Sequence, residues 1–421
     1  MLEQEEASKH AVTVLGNGII GLAVAYALIE DDHTVTVIDR GPVDDGTSTG
    51  NAGAVAVAEM IPIAEPGLWK RIPAMLLDPV GPLYLRATHV PFLLPWFFRF
   101  MQACRPQNHK RGIAALAGLL GGSMEAHLAM LQRIGAGDML NRDGTLFIYR
   151  SEQAYKHEAH HWQARRDHGI EAEPLDRDGI IAREPALGPE ARFGYFSPDW
   201  AHYRDPKELV IALAAHLRAR GVSFEQAEVT DVELSNGGVS ALIAGDGRAF
   251  PVAHLIIAAG AWSGRLSKRI GDPYPIEADR GYNTTLPDPG IDIRTMVTFS
   301  EDNFVMTPMR IGLRIGGSVE MGGLDAPPNY QRSRALIQLA KRYIPDLNVT
   351  GGTEWMGYRP GSPDSVPVIS ASPHVANVHY AFGHGHLGLS MSVITGRIIA
   401  DMIAGRDPGL DMSPYRIDRF R

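Results

Sequence analysis

Gly16, Gly18 and Gly21 stand in the spacing G-x-G-x-x-G between a short apolar strand, Val12 to Leu15, and an apolar helix, Ile19 to Ile29. That arrangement binds a dinucleotide. Gly16 permits the tight turn, Gly18 lets a pyrophosphate approach the backbone, and Gly21 lets helix and strand pack closely. The pyrophosphate then rests on the helix N-terminus, where the amides of Ile19 and Ile20 and the helix dipole favour an anion. A second strand, Thr34 to Ile38, ends in Asp39, which is placed to accept a hydrogen bond from a ribose hydroxyl, with Arg40 beside it.

Two other glycine-rich stretches could touch the same ligand. The loop Gly46 to Gly53 offers Ser48, Thr49, Asn51, Ala52 and Gly53, the small side chains and open amides needed where backbone comes close to phosphate or to a flat ring system. The turn Gly383-His384-Gly385-His386-Leu387-Gly388 matches G-x-G-x-x-G again, but no strand ending in an acid follows it. Instead it opens a helix at Leu389, whose N-terminal amides suit a developing negative charge.

The elements that position these residues do not run in simple alternation. After Asp39 a nicotinamide dehydrogenase would complete its parallel sheet, whereas here residues 66 to 168 read as mostly helical, with Thr145 to Tyr149 the one clear strand. A helix at Pro206 to Arg220 leads to strands at 223 to 228 and 229 to 234, and Ala253 to Ala259 ends in Gly260-Ala261-Trp262-Ser263. From Tyr274 to Leu324 short alternating runs predict an antiparallel sheet, followed by a helix at Tyr330 to Tyr343. Val378 to Phe382, the glycine turn and a helix at Leu389 to Ile403 return to strand, turn and helix.

The predicted fold is therefore α/β (α+β overall): a Rossmann-like cofactor domain of discontinuous segments, with an inserted substrate domain built on an antiparallel sheet plus helices. The expected division is 1–65, 145–265 and 350–421 for the cofactor and 66–144 with 266–349 for the substrate. A nucleotide gripped from both chain ends argues for FAD over NAD.

Composition excludes several other roles. The 421 residues carry 40 Lys and Arg against 48 Asp and Glu, a net charge of −8 that gives no basic field for nucleic acid. Cys104 is the only cysteine, so the chain holds no internal disulfide and no Cys-ligated cluster of its own, which fits a cytoplasmic protein. No signal peptide and no run of eighteen apolar residues is expected to provide a transmembrane segment. Pro91 to Phe98 is apolar and aromatic; it reads as a buried turn and helix start, the alternative being a peripheral contact with a membrane or subunit. His157-Glu158-Ala159-His160-His161 matches the zinc motif H-E-x-x-H, but its polar neighbours describe a solvated helix and no third ligand is evident, so no metal is expected.

Taken together, LGNGIIGLAVAYAL, the Thr-Ser to Asn-Ala-Gly loop, AHYRDPKELVIAL, AAGAWS, ADRGYNTT, LRIGGSVEMGG, GYRPGSPDSVPVI and FGHGHLGLSMS cover nearly the whole chain in order. In these the chain resembles the D-amino-acid dehydrogenase branch of the glycine oxidase/D-amino-acid oxidase flavoenzymes. The resemblance implies non-covalent FAD, since the loop after the first βαβ unit holds no histidine and Cys104 lies elsewhere. It also brings Val229, Ala259, Gly260, Trp262, Arg359, Gly385, His386, Leu387, Gly388 and Leu389 into the cofactor set. The implied chemistry is hydride transfer from the Cα–H of a D-amino acid or secondary amine to flavin N5, giving an imine and then a 2-oxo acid. Arg280, Tyr282, Arg314 and Arg359 are the candidates to hold the substrate carboxylate, and His202, Tyr203 and His386 to line the pocket. Electrons would pass to an acceptor such as a quinone or a partner subunit. The alternatives are a β-type catalytic subunit of a D-hydroxyproline or opine dehydrogenase complex, and a flavin electron-transfer component without catalysis.

Overall fold

A computed structural model of the chain describes residues 9–70, 72, 75, 81 and 83–421. Strands far apart in sequence align in one six-stranded sheet: Ser223–Gln226, Thr34–Asp39, Ala11–Leu15, His254–Ile257 and Val378–Phe382 run parallel, and Val368–Ala371 closes it antiparallel. Val12, Val14, Val35, Val37 and the run Leu255 to Ile257 are buried, the near-continuous apolar pattern of strands covered on both faces. The covering elements include the helices Ile19–Glu30, Pro206–Ala219 and Gly388–Ile403. The first helix is apolar all round because it is buried all round. It lies so close to the C-terminal helix that a Cβ on Gly396 would sit 2.3 Å from the Ala23 carbonyl oxygen. The α/β fold class and the discontinuous assembly of the cofactor sheet are thus as the sequence indicates.

The second, nine-stranded sheet is mostly antiparallel and centres on the long strands Thr353–Gly361, Glu277–Leu286, Gly312–Met321 and Phe304–Met309. Thr145–Tyr149 lies in this sheet, parallel to Met296–Phe299 and antiparallel to Phe193–Ser197. The expected boundaries put 145–149, 193–197 and 353–361 with the cofactor segments, and here the strand pairing places them elsewhere. Apolar period alone marks a strand as buried; it does not say which sheet completes its hydrogen bonds.

In chain order the helices Val90–Ala103, Pro106–Leu120, Ser123–Ile134 and Glu152–Asp167 come next. By length and composition 106–134 could cross a membrane, but Gly121 and Gly122 break it into two helices, both of which contact the C-terminal helix. The expectation for Pro91 to Phe98 needs correction. A helix does begin there, but it buries only Leu93, Trp96, Phe100 and Ala103, leaving Phe92, Leu94 and Phe98 exposed. The H-E-x-x-H helix differs too: His161, Trp162 and Arg165 are buried, with His161 Nδ1 3.2 Å from Glu158 Oε2 and Arg165 donating to the Ala58 carbonyl. One face of that helix is docked rather than wet.

Candidate active site

Because the five strands are parallel, their C-terminal ends fall on one edge of the sheet, the edge where open α/β folds bind ligands. Along it stand, in order, residues 227–229, Asp39 with Arg40, the Gly16–Gly21 turn, Ala258–Trp262 and the Gly383–Leu389 turn. Gly16 has φ +119°, and a Cβ there would lie 2.3 Å from the Ala258 carbonyl oxygen. A Cβ on Gly21 would lie 1.9 Å from the Gly16 oxygen, so this glycine sets the helix-to-strand distance. Gly18 is extended and caps the helix, while the Ile19 amide donates to Ser48 Oγ at 2.9 Å. Ile20 is half-buried on the same turn.

Asp39 is fixed by two backbone donors, the Asn17 amide at 2.8 Å and the Gly41 amide at 3.1 Å. The Ala227 amide donates to the Asp39 carbonyl, bringing Val229 to the same corner. Arg40 lies over the Trp262 ring at 3.6 Å, next to Ala259 and Gly260, and Trp262 meets Tyr358 edge-on. Gly260 and Gly385 both have φ +55° and no heavy atom within 4 Å of where a Cβ would be, so each borders open space.

The loop after the second strand joins this edge to the second sheet. Thr49 Oγ1 donates to the Gly46 carbonyl, Asn51 Nδ2 to the Ser48 carbonyl, and the Gly53 amide to Asn51 Oδ1. Asn283 Nδ2 then donates to the Gly50 carbonyl at 2.7 Å, and the Tyr358 amide to Thr47 Oγ1 at 3.1 Å. Ala52, between them, is half-buried. Glycine at 50 and 357 makes room for the Trp355 indole, which a Cβ at either position would strike.

Strand alternation separates the candidate arginines. Asp279, Gly281, Asn283 and Thr285 share the face of Glu277–Leu286 that meets this loop, and Arg280 and Tyr282 take the other. Arg280 is fully buried and donates to the carbonyls of Gly323, Ala326 and Pro327. Tyr282 hydrogen-bonds Glu320 and accepts from the Asn329 amide, and burial pushes its hydroxyl up to about 12. Neither has a free group for a substrate, which corrects their expected role. Arg314 is on the loop's face, but donates to Thr285 Oγ1 at 3.1 Å and to the Asn51 carbonyl at 2.7 Å. Burial lowers it to about 10, so it stays charged and clamps the loop.

Arg359 is placed differently. It pairs in register with Asp279, with Nη1 3.4 Å from Asp279 Oδ1 and 3.1 Å from the Ser318 carbonyl, and its guanidinium lies over Gly281. Its charge is felt by His386: burial first, and Arg359 second, lower that imidazole to about 4. Although the chain packs densely about it, His386 keeps exposed surface at this edge. Burial raises the Asp279 carboxyl, and Arg359 opposes that rise. His202 has no accessible surface and is lowered to about 4 by burial, so it is an interior residue that does not line the site. Tyr203 is likewise interior, with its hydroxyl 2.7 Å from His127 Nδ1.

Residues 11–402 match the family model for FAD dependent oxidoreductases, designated DAO. The chain belongs to this family. A D-amino-acid oxidase of Bradyrhizobium diazoefficiens is 32% identical over 416 residues, covering 97% of this chain and 98% of that protein. A D-amino acid dehydrogenase of Paramagnetospirillum magneticum is 32% identical over 424 residues, with 97% and 98% covered. Glycine oxidase from Geobacillus kaustophilus has the same fold, with TM-score 0.76 at 20% identity over 97% of this chain and 99% of its own.

The residues present fit FAD, the cofactor of this family. The edge supplies the strained Gly16 turn, the anchored Asp39, the open approaches at Gly260 and Gly385, and two helix N-termini, at Ile19 and Gly388. Leu387 and Leu389, buried on either side of Gly388, fix where the second helix begins. Sequence reasoning missed Asp279, Asn283, Trp355 and His384, whose Nε2 lies 3.0 Å from Thr395 Oγ1. The one signal for Trp355 was its place between Gly352 and Gly357.

Proposed function

We propose that this FAD-dependent oxidoreductase deaminates D-amino acids or related secondary amines, with Arg359 holding the substrate carboxylate. The observation that carries the reading is that Arg359, on the strand facing this edge, bonds only through Nη1 among the described residues, leaving Nε and Nη2 for a ligand, while Arg280 is spent on buried carbonyls and Arg314 on the loop. A guanidinium binds a carboxylate through two parallel N–H donors, which fixes the position of the substrate's Cα. Bound FAD supplies the acceptor for the Cα hydride. His386 is neutral at pH 7, because its imidazole is lowered to about 4, and so does not oppose Arg359's pull on an anionic substrate. Asp279, behind Arg359, keeps the guanidinium from turning away. Trp355 and Asn283 hold the 47–53 loop in place at this site, and the imine product is hydrolysed after release.

The cofactor-binding portion comprises the six-stranded sheet and its helices, and the nine-stranded sheet forms most of the substrate side. We place the enzyme in the cytoplasm, on the inner face of the membrane, with a quinone or partner subunit taking the electrons. The names of the relatives, D-amino-acid oxidase and D-amino acid dehydrogenase, support the substrate class. Anaerobic titration of the yellow protein with D-amino acids, D-hydroxyproline, sarcosine and opines tests the proposal. Bleaching by a D-amino acid or secondary amine is expected, and no bleaching by any of them would overturn it.

A further inference from the structure

We propose that the helix Val90–Ala103 is a docking surface for an anionic phospholipid bilayer. Among the described residues the outer apolar face of the helix has no partner: Phe92 is 75% exposed, Leu94 60% and Phe98 60%. Trp69, 54% exposed, extends the patch, since its neighbour Leu68 packs on the cluster formed by Leu93, Trp96 and Phe100. Large apolar side chains exposed together mark an interaction surface. Pro91 and Pro95 lie on this outer face and keep it free of polar side chains through its first two turns.

Charge identifies the occupant. From residue 66 to 124 the chain has seven Lys and Arg and one acid, Asp78, although the whole chain carries −8. Arg86 is turned inward to Glu320, at 2.6 Å. Lys70 and Arg99 lie beside the exposed rings of Trp69 and Phe98, and Arg105, Lys110 and Arg111 are exposed where the next helix begins. Among the described residues none of these five has an ion-pair partner. An apolar wedge rimmed by free cations matches an anionic lipid surface, with rings entering the acyl boundary and cations meeting headgroups. A second copy of the chain would instead bring two cationic rims together.

The inner face of the same helix ties the surface to the strands that carry Arg359 and Asp279. Trp96 Nε1 donates to the Gly361 carbonyl at 3.0 Å, two residues from Arg359, and His89 Nε2 lies 2.9 Å from Glu277 Oε1, two residues from Asp279. Docking would therefore set the bilayer beside the site where electrons leave, so this inference deepens the proposed use of a membrane quinone.

Flotation of the FAD-loaded enzyme with vesicles of phosphatidylcholine alone, or with 30% phosphatidylglycerol, tests it. Binding is expected to the anionic vesicles, roughly tenfold weaker at 0.5 M salt, and roughly tenfold weaker again in the F92S/L94S/F98S variant. A second variant, R105E/K110E, should lose the preference for phosphatidylglycerol. Equal binding to both vesicles, no binding to either, or a concentration-dependent dimer abolished by the triple substitution would overturn it. Bleaching by substrate, measured without vesicles, should be the same in wild type and both variants, so failure of docking and failure of the proposed reaction give different results.

Discussion

Arg359→Lys separates carboxylate recognition from structure most cleanly. Lysine keeps a cation near Asp279 but replaces the planar fork by a single point charge, so one of two carboxylate contacts is lost. A hydrogen bond to a charged group is worth about 1.5–3 kcal/mol, a rise in KM of roughly 10- to 100-fold for an amino acid substrate. The melting temperature should move by less than about 3 °C, since no buried carbonyl other than that of Ser318 loses a donor. Arg280→Met is the control. It strips the donor from the carbonyls of Gly323 and Ala326, at about 1–3 kcal/mol each, while Pro327 keeps that of Arg86, so the variant should lose at least about 4 °C or fail to accumulate. The assay is dye-coupled turnover with a D-amino acid and, separately, with the corresponding amine lacking the carboxylate. If R359K raises KM equally for both, or leaves the amino acid's KM within twofold, Arg359 does not hold the carboxylate.

Other perturbations follow from the same geometry. Gly21→Ala puts a Cβ 1.9 Å from the Gly16 oxygen, so the purified protein should have lost most of its flavin absorbance at 450 nm relative to 280 nm; full retention would contradict the close-packing argument. Ser48→Ala removes the acceptor of the Ile19 amide and should cost about 0.5–2 kcal/mol, read as a lower urea midpoint. Buried His127 is lowered to about 4, so the folded state binds fewer protons than the unfolded chain between pH 6.5 and 4. Its stabilising contribution is complete above pH 6.5 and is lost as pH falls, on the order of 1–2 kcal/mol by pH 5. A urea midpoint that declines between pH 7 and 5, with a shallower decline in His127→Asn, is expected; identical slopes would refute it.

The nucleotide edge was legible in sequence because its demands are local. The Gly16 φ, the helix start at Ile19 and the position of Asp39 at a strand end are set within about thirty residues, and residue type reports them directly. The strands from Glu277 to Met321 were legible for the same reason, since alternation is a property of neighbours. Their partners were not: Thr145–Tyr149 is unmistakably a strand, yet only the free edge of Met296–Phe299 decides its sheet.

The arginines show the limit more sharply. Arg280, Arg314 and Arg359 are chemically equal in sequence, and each sits in a strand near small residues. Sequence determined that the chain binds a dinucleotide and that a few arginines could meet a carboxylate. Only tertiary structure separates them, because strand register turned Arg280 onto backbone carbonyls and the 47–53 loop occupied Arg314, which is why Arg359 is the one proposed to meet a carboxylate. A guanidinium's function depends on which donors remain after folding, and that inventory exists only once distant carbonyls have been brought to it.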